Sequence, residues 1–208
     1  MSYPYIVVEG NIGSGKTSLA TLLAADLRGT VVREEFEENS FLPRFYEDRK
    51  RFAFPLELSF LASRFNQLRT ALDPDIFGTP LIADYGLFKN LVFARVNLEE
   101  DEYKLFFRLY EIMSMQIRKP DLVIYLHQGT AGLLENIRKR GRAYEQRMDP
   151  AYLEAIGRGY LEYFRQAGYQ RVAFIDADAY DFVEYPRDYR RVRDLILKEY
   201  PEALPFLC

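Results

Sequence analysis

Eight residues near the start of the chain, Gly10-Asn11-Ile12-Gly13-Ser14-Gly15-Lys16-Thr17, carry the spacing G-x-x-x-x-G-K-[ST]. The chemistry this spacing serves is capture of a polyphosphate. Glycines let the backbone curl until its N–H groups point inward at an anion, and a helix that follows adds its positive end. Lys16 would then reach the β- and γ-phosphates, and the Thr17 hydroxyl would ligate Mg²⁺. The surroundings suit that use. Tyr5-Ile6-Val7-Val8-Glu9 is a β-branched apolar run, and Ser18 to Leu27 is rich in helix formers with leucines three and four apart. The pattern implies binding of a nucleoside triphosphate, with ATP and Mg²⁺ as the expected cofactors.

Transfer of a phosphoryl group needs more than a cradle. It needs a metal, further positive charge and a group that prepares the acceptor. Glu34 ends a second predicted strand, Thr30 to Glu34, which aims it at the crevice where open α/β sheets bind ligands. Asp84 ends a third, Pro80 to Tyr85, on the same edge, and can anchor the metal with Thr17. Arg138, Arg140 and Arg142 surround Gly141 between two helices, as a lid closing on phosphates requires. A phosphorylated acceptor needs cations and no base, whereas a neutral hydroxyl needs a carboxylate to take its proton. Glu34 therefore favours a hydroxyl acceptor. Glu57 and Arg64 lie seven apart on a predicted helix, beside its apolar stripe of Phe54, Leu58, Leu61, Phe65 and Leu68. There they are paired, exposed or bound to a polar ligand.

The elements that must position these groups alternate strand and helix. Helices are expected at Phe41–Asp48, Phe52–Leu72, Glu99–Lys119, Thr130–Lys139, Asp149–Ala167 and Arg187–Glu199. Asn39-Ser40 and Thr130 are the expected caps, and Asp73-Pro74-Asp75 the expected break after the long second helix. Further strands are expected at Leu122–Leu126 and Arg171–Asp176. This alternation predicts one α/β domain, a five-stranded parallel sheet with helices on both faces and a lid at about 138–148.

Composition sets the outer bounds. Formal net charge is −3, which argues against a nucleic-acid-coating role. The one cysteine, Cys208, leaves no disulfide framework, and a lone His127 is read as structural. The chain enters a strand within a few residues, so no signal peptide is expected, and no apolar run suits a membrane span. A cytoplasmic protein is the expectation.

Taken together, these pieces resemble the deoxynucleoside kinase family, specifically its bacterial members. The match rests on Gly10 to Thr17, Glu34, Asn39 to Asp48, the Glu57 to Arg64 helix, Asp84 and Lys139-Arg140-Gly141-Arg142-Ala143-Tyr144-Glu145, together spanning about residues 5 to 180. The resemblance implies a P-loop kinase fold and transfer of the ATP γ-phosphoryl group to the 5′-hydroxyl of a deoxynucleoside, in nucleotide salvage. It implies that Glu34 is the general base and that Tyr46 and Glu145 hold the sugar 3′-hydroxyl. It also places Asp84 near the metal and Arg140 on the phosphates, Asn90 among the substrate contacts, and the chain in a homodimer. The Glu99–Lys119 helix is the candidate contact.

Two positions depart from the family pattern. Asp84-Tyr85-Gly86 replaces an acidic-Arg-Ser triplet, so the arginine beside the general base is missing. Either a lid arginine covers it or Tyr85 contacts the substrate. Glu57 replaces a base-reading glutamine. An ionised carboxylate only accepts hydrogen bonds, and guanine presents two adjacent donors, so deoxyguanosine is favoured and deoxyadenosine is next. Two other readings share the phosphate loop: a nucleoside monophosphate kinase of the thymidylate kinase type and a non-catalytic nucleotide-binding module. Arg33-Glu34 lacks the Pro-Gly that follows in the first, and no Asn-Lys-x-Asp marks the second.

Overall fold

The first strand sets the plan, because all six of its residues are buried. A strand covered on both faces belongs in the middle of a parallel sheet. In the computed structural model, which describes residues 3–36, 39–72, 79–166 and 171–198, β1 (Tyr5–Gly10) is the central strand. Around it run β2 (Thr30–Val32), β3 (Leu81–Ala83), β4 (Leu122–His127) and β5 (Val172–Asp176), in the order β2-β3-β1-β4-β5. Every pairing is parallel, with Val7 opposite Ala83 on one side and Val123 on the other. Glu37, Glu38, the Asp73-Pro74-Asp75 break, the predicted helix ends at Ala167 and Glu199, and Cys208 lie outside the described residues.

Side chains alternate along these strands, so each strand feeds two cores. Tyr5, Val7, Ala83, Val123 and Tyr125 pack on one face with α3 (Arg49–Ala71), α4 (Lys89–Asn97) and α7 (Pro150–Gln166). Ile6, Val8, Ile82, Ile124 and Leu126 pack on the other with α1 (Lys16–Leu27) and α8 (Pro186–Ile196). The remaining helices are α2 (Phe41–Glu47), α5 (Glu100–Ser114) and α6 (Thr130–Arg140). The expected architecture, a five-stranded parallel sheet with helices on both faces, is the observed one.

Three local readings are corrected. The expected helix from Glu99 to Lys119 ends at Ser114, and its start is a capping box between Glu99 and Glu102. α6 is preceded by Gly129 with no side-chain cap, so Thr130 is its first residue rather than its cap. And α4 has no counterpart among the expected helices. Lys89, Asn90, Leu91, Val92 and Ala94 are all buried, so this helix meets protein on more than one side and shows no single apolar stripe. No helix among the described residues is long and apolar enough to cross a membrane.

Candidate active site

The phosphate loop leaves β1 at Gly10 and enters α1 at Lys16. Gly13 and Gly15 take φ of 86° and 87°, a region other residues rarely adopt. A Cβ at Gly13 would also stand 2.8 Å from the Leu133 carbonyl oxygen. One of the loop's side chains ties it to the rest of the fold and another closes the loop on itself. Asn11 Nδ2 donates to the Leu153 carbonyl of α7 at 2.7 Å, and Lys16 Nζ donates to the Asn11 carbonyl at 2.7 Å. Burial first, then repulsion from Lys89, lowers the Lys16 ammonium to about 8. Glu9, Glu34 and Asp84 offset only part of this, and a polyphosphate in the loop would add negative charge beside the ammonium.

Glu9, just ahead of the loop, is fully buried and carries no role in the sequence reading. Its carboxylate accepts from the Gly86 N–H at 2.7 Å and from the Tyr160 hydroxyl at 2.8 Å. It therefore fixes the end of β1 against the segment after β3. Burial pushes its pKa up.

Thr17 and Asp84 meet directly. The Thr17 hydroxyl donates to Asp84 Oδ2 at 2.5 Å, and Asp84 Oδ1 accepts from the Glu34 backbone N–H at 2.7 Å. One carboxylate thus joins the phosphate loop to the segment carrying Glu34. Two hard oxygen donors side by side at a phosphate cradle suit Mg²⁺, which keeps most of its shell as water and phosphate oxygen.

Glu34 is held from two sides. Its Oε1 accepts from Arg64 Nε at 2.8 Å and also from Nη2, and its Oε2 accepts from Lys89 Nζ at 2.6 Å. Burial works against the ionised form, but Lys89 and Arg64 outweigh it, so the carboxyl stays well below the usual carboxylate range. Here the structure answers the missing arginine. The cations beside Glu34 come from α3 and α4, not from the lid and not from Tyr85. Tyr85 is fully buried, its hydroxyl donates to Gln67 Oε1, and it lines neither cleft. Asn90 is also corrected. It is buried behind Arg64, accepting from Nη1 at 2.5 Å while its own amide donates to the Leu87 carbonyl. It positions Arg64 rather than lining the pocket.

Two clefts converge on Glu34. One, with about 120 Å³ of enclosed space, is lined by Tyr46, Glu57, Phe60, Arg64, Lys89, Phe93, Asn97 and Tyr152 among others. The second runs over Gly13 to Ser18, Gln128, Asn136 and the 177–184 segment. Lys16, Thr17, Glu34, Phe36, Asp84, Arg140 and Arg142 line both. Sequence reasoning missed Lys89, Asn97, Tyr152 and the 177–184 segment. Lys89 and Asn97 sit on the unrecognised α4, and Tyr152 reads in sequence as one more core aromatic.

The residues of the expected lid are partly ordered by the fold. α6 carries Arg138 and Arg140 in its last turn and stops at Gly141, in the left-handed region with φ 76°. Ala143–Glu145 then forms a single 3₁₀ turn. Arg140 pairs with Glu145, and Arg142 Nη1 lies 3.4 Å from the same carboxylate. Arg142 also stacks 3.8 Å over the Phe36 ring. Tyr46 stacks on Tyr144 at 5.6 Å, which brings it beside Glu145 in the first cleft. Arg138 is exposed and lines neither cleft, so its expected nucleotide contact has no geometric support.

Glu57 is 2% exposed on α3. Its Oε1 accepts from Asn97 Nδ2 at 2.7 Å, and the same amide nitrogen donates to the Tyr152 hydroxyl at 3.1 Å. Its Oε2 is buried with no hydrogen-bond partner among the described residues. Arg64 does not ion-pair with it. Burial pushes the Glu57 carboxyl up to about 7.

The profile described as "Deoxynucleoside kinase" matches residues 6–200. The deoxyguanosine kinase of Bacillus subtilis is 34% identical over 194 residues, covering 91% of this chain and 94% of that protein. Lactobacillus acidophilus has a deoxyguanosine kinase that is 30% identical over 95% of this chain and 91% of its own length. Its deoxyadenosine kinase is also 30% identical, over 96% and 95%. Among solved structures, the deoxyadenosine kinase of M. mycoides with bound dATP superposes with a TM-score of 0.78 at 24% identity, covering 91% of this chain and 97% of that one. That likeness is one of fold.

Proposed function

This chain belongs to the deoxynucleoside kinase family, and from that premise we propose that it transfers the γ-phosphoryl group of ATP to the 5′-hydroxyl of a purine deoxynucleoside. The observation that carries the reading is the position of Glu34 at the junction of the two clefts, ionised and flanked by Arg64 and Lys89. The triphosphate lies along the loop and the 177–184 segment, and the nucleoside fills the cleft between α2, α3 and α4. Where they meet, the 5′-oxygen attacks the γ-phosphorus, the bond from that phosphorus to the β-bridging oxygen breaks, and the hydroxyl proton passes to Glu34.

So acidic a carboxyl is a weak base in the resting site. That is tolerable because the phosphoryl transition state is loose and the proton leaves late. The main contribution of Glu34 is then orientation of the hydroxyl toward the phosphorus. Lys16 and Arg140 stabilise charge on the transferring group. Tyr46 and Glu145 hold the sugar 3′-hydroxyl. Thr17 and Asp84 would hold Mg²⁺, which would supply positive charge to the phosphate oxygens.

A phosphorylated acceptor is disfavoured by the same contacts. Of the cations that line the acceptor cleft, Arg64 and Lys89 are engaged with Glu34, and Arg140 and Arg142 with Glu145. The purine preference is supported by Glu57 within the acceptor cleft and by the names of the Bacillus and Lactobacillus relatives. A homodimer is supported by exposed Leu105, Ile112 and Met115 on or just beyond α5. Nucleotide salvage in the cytoplasm is the setting this activity implies.

The test is to incubate the protein with ATP and Mg²⁺, offering each deoxynucleoside and, separately, dTMP, and to weigh products by mass spectrometry. Purine deoxynucleosides are expected to gain one phosphoryl group and dTMP none. EDTA is expected to stop the reaction, and Glu34→Gln to slow it by about 10²–10⁴-fold. Conversion of dTMP to its diphosphate, or full activity in Glu34→Gln, would overturn the reading.

A further inference from the structure

A buried carboxylate oxygen without a partner is costly unless a ligand or a proton satisfies it. Glu57 has one such oxygen, in the wall of the acceptor cleft. The other is fixed by Asn97, whose amide nitrogen is itself shared with the Tyr152 hydroxyl. The carboxyl is therefore tied to α4 through Oε1, while Oε2, on a side chain that lines the cleft, has no partner among the described residues. Oε1 keeps a second lone pair. The pair of oxygens can meet the edge of a flat heterocycle.

What that edge must be depends on one proton. An ionised carboxylate offers two acceptors, which match the adjacent N1–H and exocyclic amine of guanine. A protonated carboxyl offers one donor and one acceptor, which match N1 and the exocyclic amine of adenine. We propose that Glu57 selects the base by its protonation state, taking guanine when ionised and adenine when protonated, so that purine preference changes with pH. This rests on the reading of the chain as a deoxynucleoside kinase.

The charges facing Glu57 do not lock it in one form. Arg64, on its own helix, is held by Glu34 and Asn90. Lys89, from α4, is held by Glu34. Glu34 itself, after β2, repels the ionised form of Glu57, while Arg64 and Lys89 favour it. Tyr152 of α7 stays neutral because burial raises its pKa. Arg49, at the start of α3, lies 4.2 Å over the Tyr152 ring. Desolvation outweighs the rest, which leaves the carboxyl titrating near pH 7 rather than in the ordinary acidic range.

The test measures kcat/KM for deoxyguanosine and deoxyadenosine between about pH 6 and about pH 8. The deoxyguanosine-to-deoxyadenosine ratio is expected to rise by about tenfold per pH unit. In Glu57→Gln, whose amide always offers one donor and one acceptor, the ratio is expected to be flat and to favour deoxyadenosine. Calorimetry of nucleoside binding to the wild type in buffers of different ionisation enthalpy gives a second readout that a purely structural role would not move. Deoxyadenosine is expected to bind with proton uptake above the midpoint, and deoxyguanosine with proton release below it. A ratio that does not change with pH, or one that changes equally in Glu57→Gln, would overturn the inference and leave the kinase reading standing. Failure to phosphorylate any deoxynucleoside at any pH would overturn both.

Discussion

Lys89 Nζ lies 2.6 Å from Glu34 Oε2, on the carboxylate oxygen that Arg64 leaves open. Three charged side chains from the β2 edge, α3 and α4 thus close a triad with little water around it. Such a cluster is stable only while it is complete, because removing one partner leaves a buried charge uncompensated.

The first prediction concerns that triad. In Lys89→Met the burial that opposes ionisation of Glu34 remains while the largest offsetting charge is gone. The Glu34 pKa is expected to rise, moving the acid limb of the kcat/KM profile to higher pH. A group whose folded-state pKa is depressed stabilises the fold above its unfolded pKa, and that stability is lost as pH falls through the folded value. The variant should therefore also lose about 1–3 kcal/mol near pH 7. Denaturant unfolding and a pH–rate profile check the two halves separately. An unmoved acid limb would mean Lys89 does not set the state of Glu34.

The lid arginines should not be equivalent. Arg140 and Arg142 share Glu145, but Arg142 is also stacked on Phe36. Arg140 has no such ring contact among the described residues and is the one expected to act on transferring phosphate. Arg140→Ala should lower kcat by about 10³-fold or more, as loss of an arginine finger does. Arg142→Ala should cost less in kcat and more in nucleoside KM, because its ring contact, Phe36, is part of the lining of the acceptor cleft. Steady-state kinetics with both substrates varied will separate them.

Which parts of this site can be read from a sequence follows from how far apart its members lie. The phosphate loop is local, with spacing, glycines and flanking elements all within about twenty residues. Asp84 is nearly as legible, since it follows the edge of a short apolar strand. Tyr85 shows the limit. Neighbours leaving a strand point to opposite sides, so when Asp84 reaches Thr17, Tyr85 goes to Gln67. Lys89 and Asn97 were beyond reach for a different reason. They ride on α4, whose burial on more than one side erases the periodicity that announces a surface helix. The Glu57–Asn97 contact joins residues forty apart, and only the packing of α3 against α4 makes it.

α5 exposes apolar surface that a monomer has little reason to keep. Leu105 and Ile112 lie seven apart on it and are 50% and 61% exposed, with Met115 at its end more exposed still. Two turns apart, they share one face. If the chain forms the proposed homodimer, the paired change Leu105→Lys with Ile112→Lys should shift it to monomer in sedimentation, with the fold retained by circular dichroism. A monomeric wild type would remove the basis for the prediction.

The stability of the protein should carry the signature of Glu57 even without substrate. Its carboxyl rises from the ordinary 4.5 to about 7 on folding, so between these values the folded state holds a proton that the unfolded state has lost. Stability contributed at this position is therefore intact below about pH 4.5 and declines as pH rises toward 7. A shift of that size corresponds to at most about 3 kcal/mol. Glu57→Gln keeps an acceptor for Asn97 and removes the titration. It should be about 1–3 kcal/mol more stable than the wild type at pH 8, with the difference shrinking toward zero near pH 5. Urea unfolding of both proteins across that interval tests it. A gap that stays constant with pH would place the proton elsewhere in the pocket.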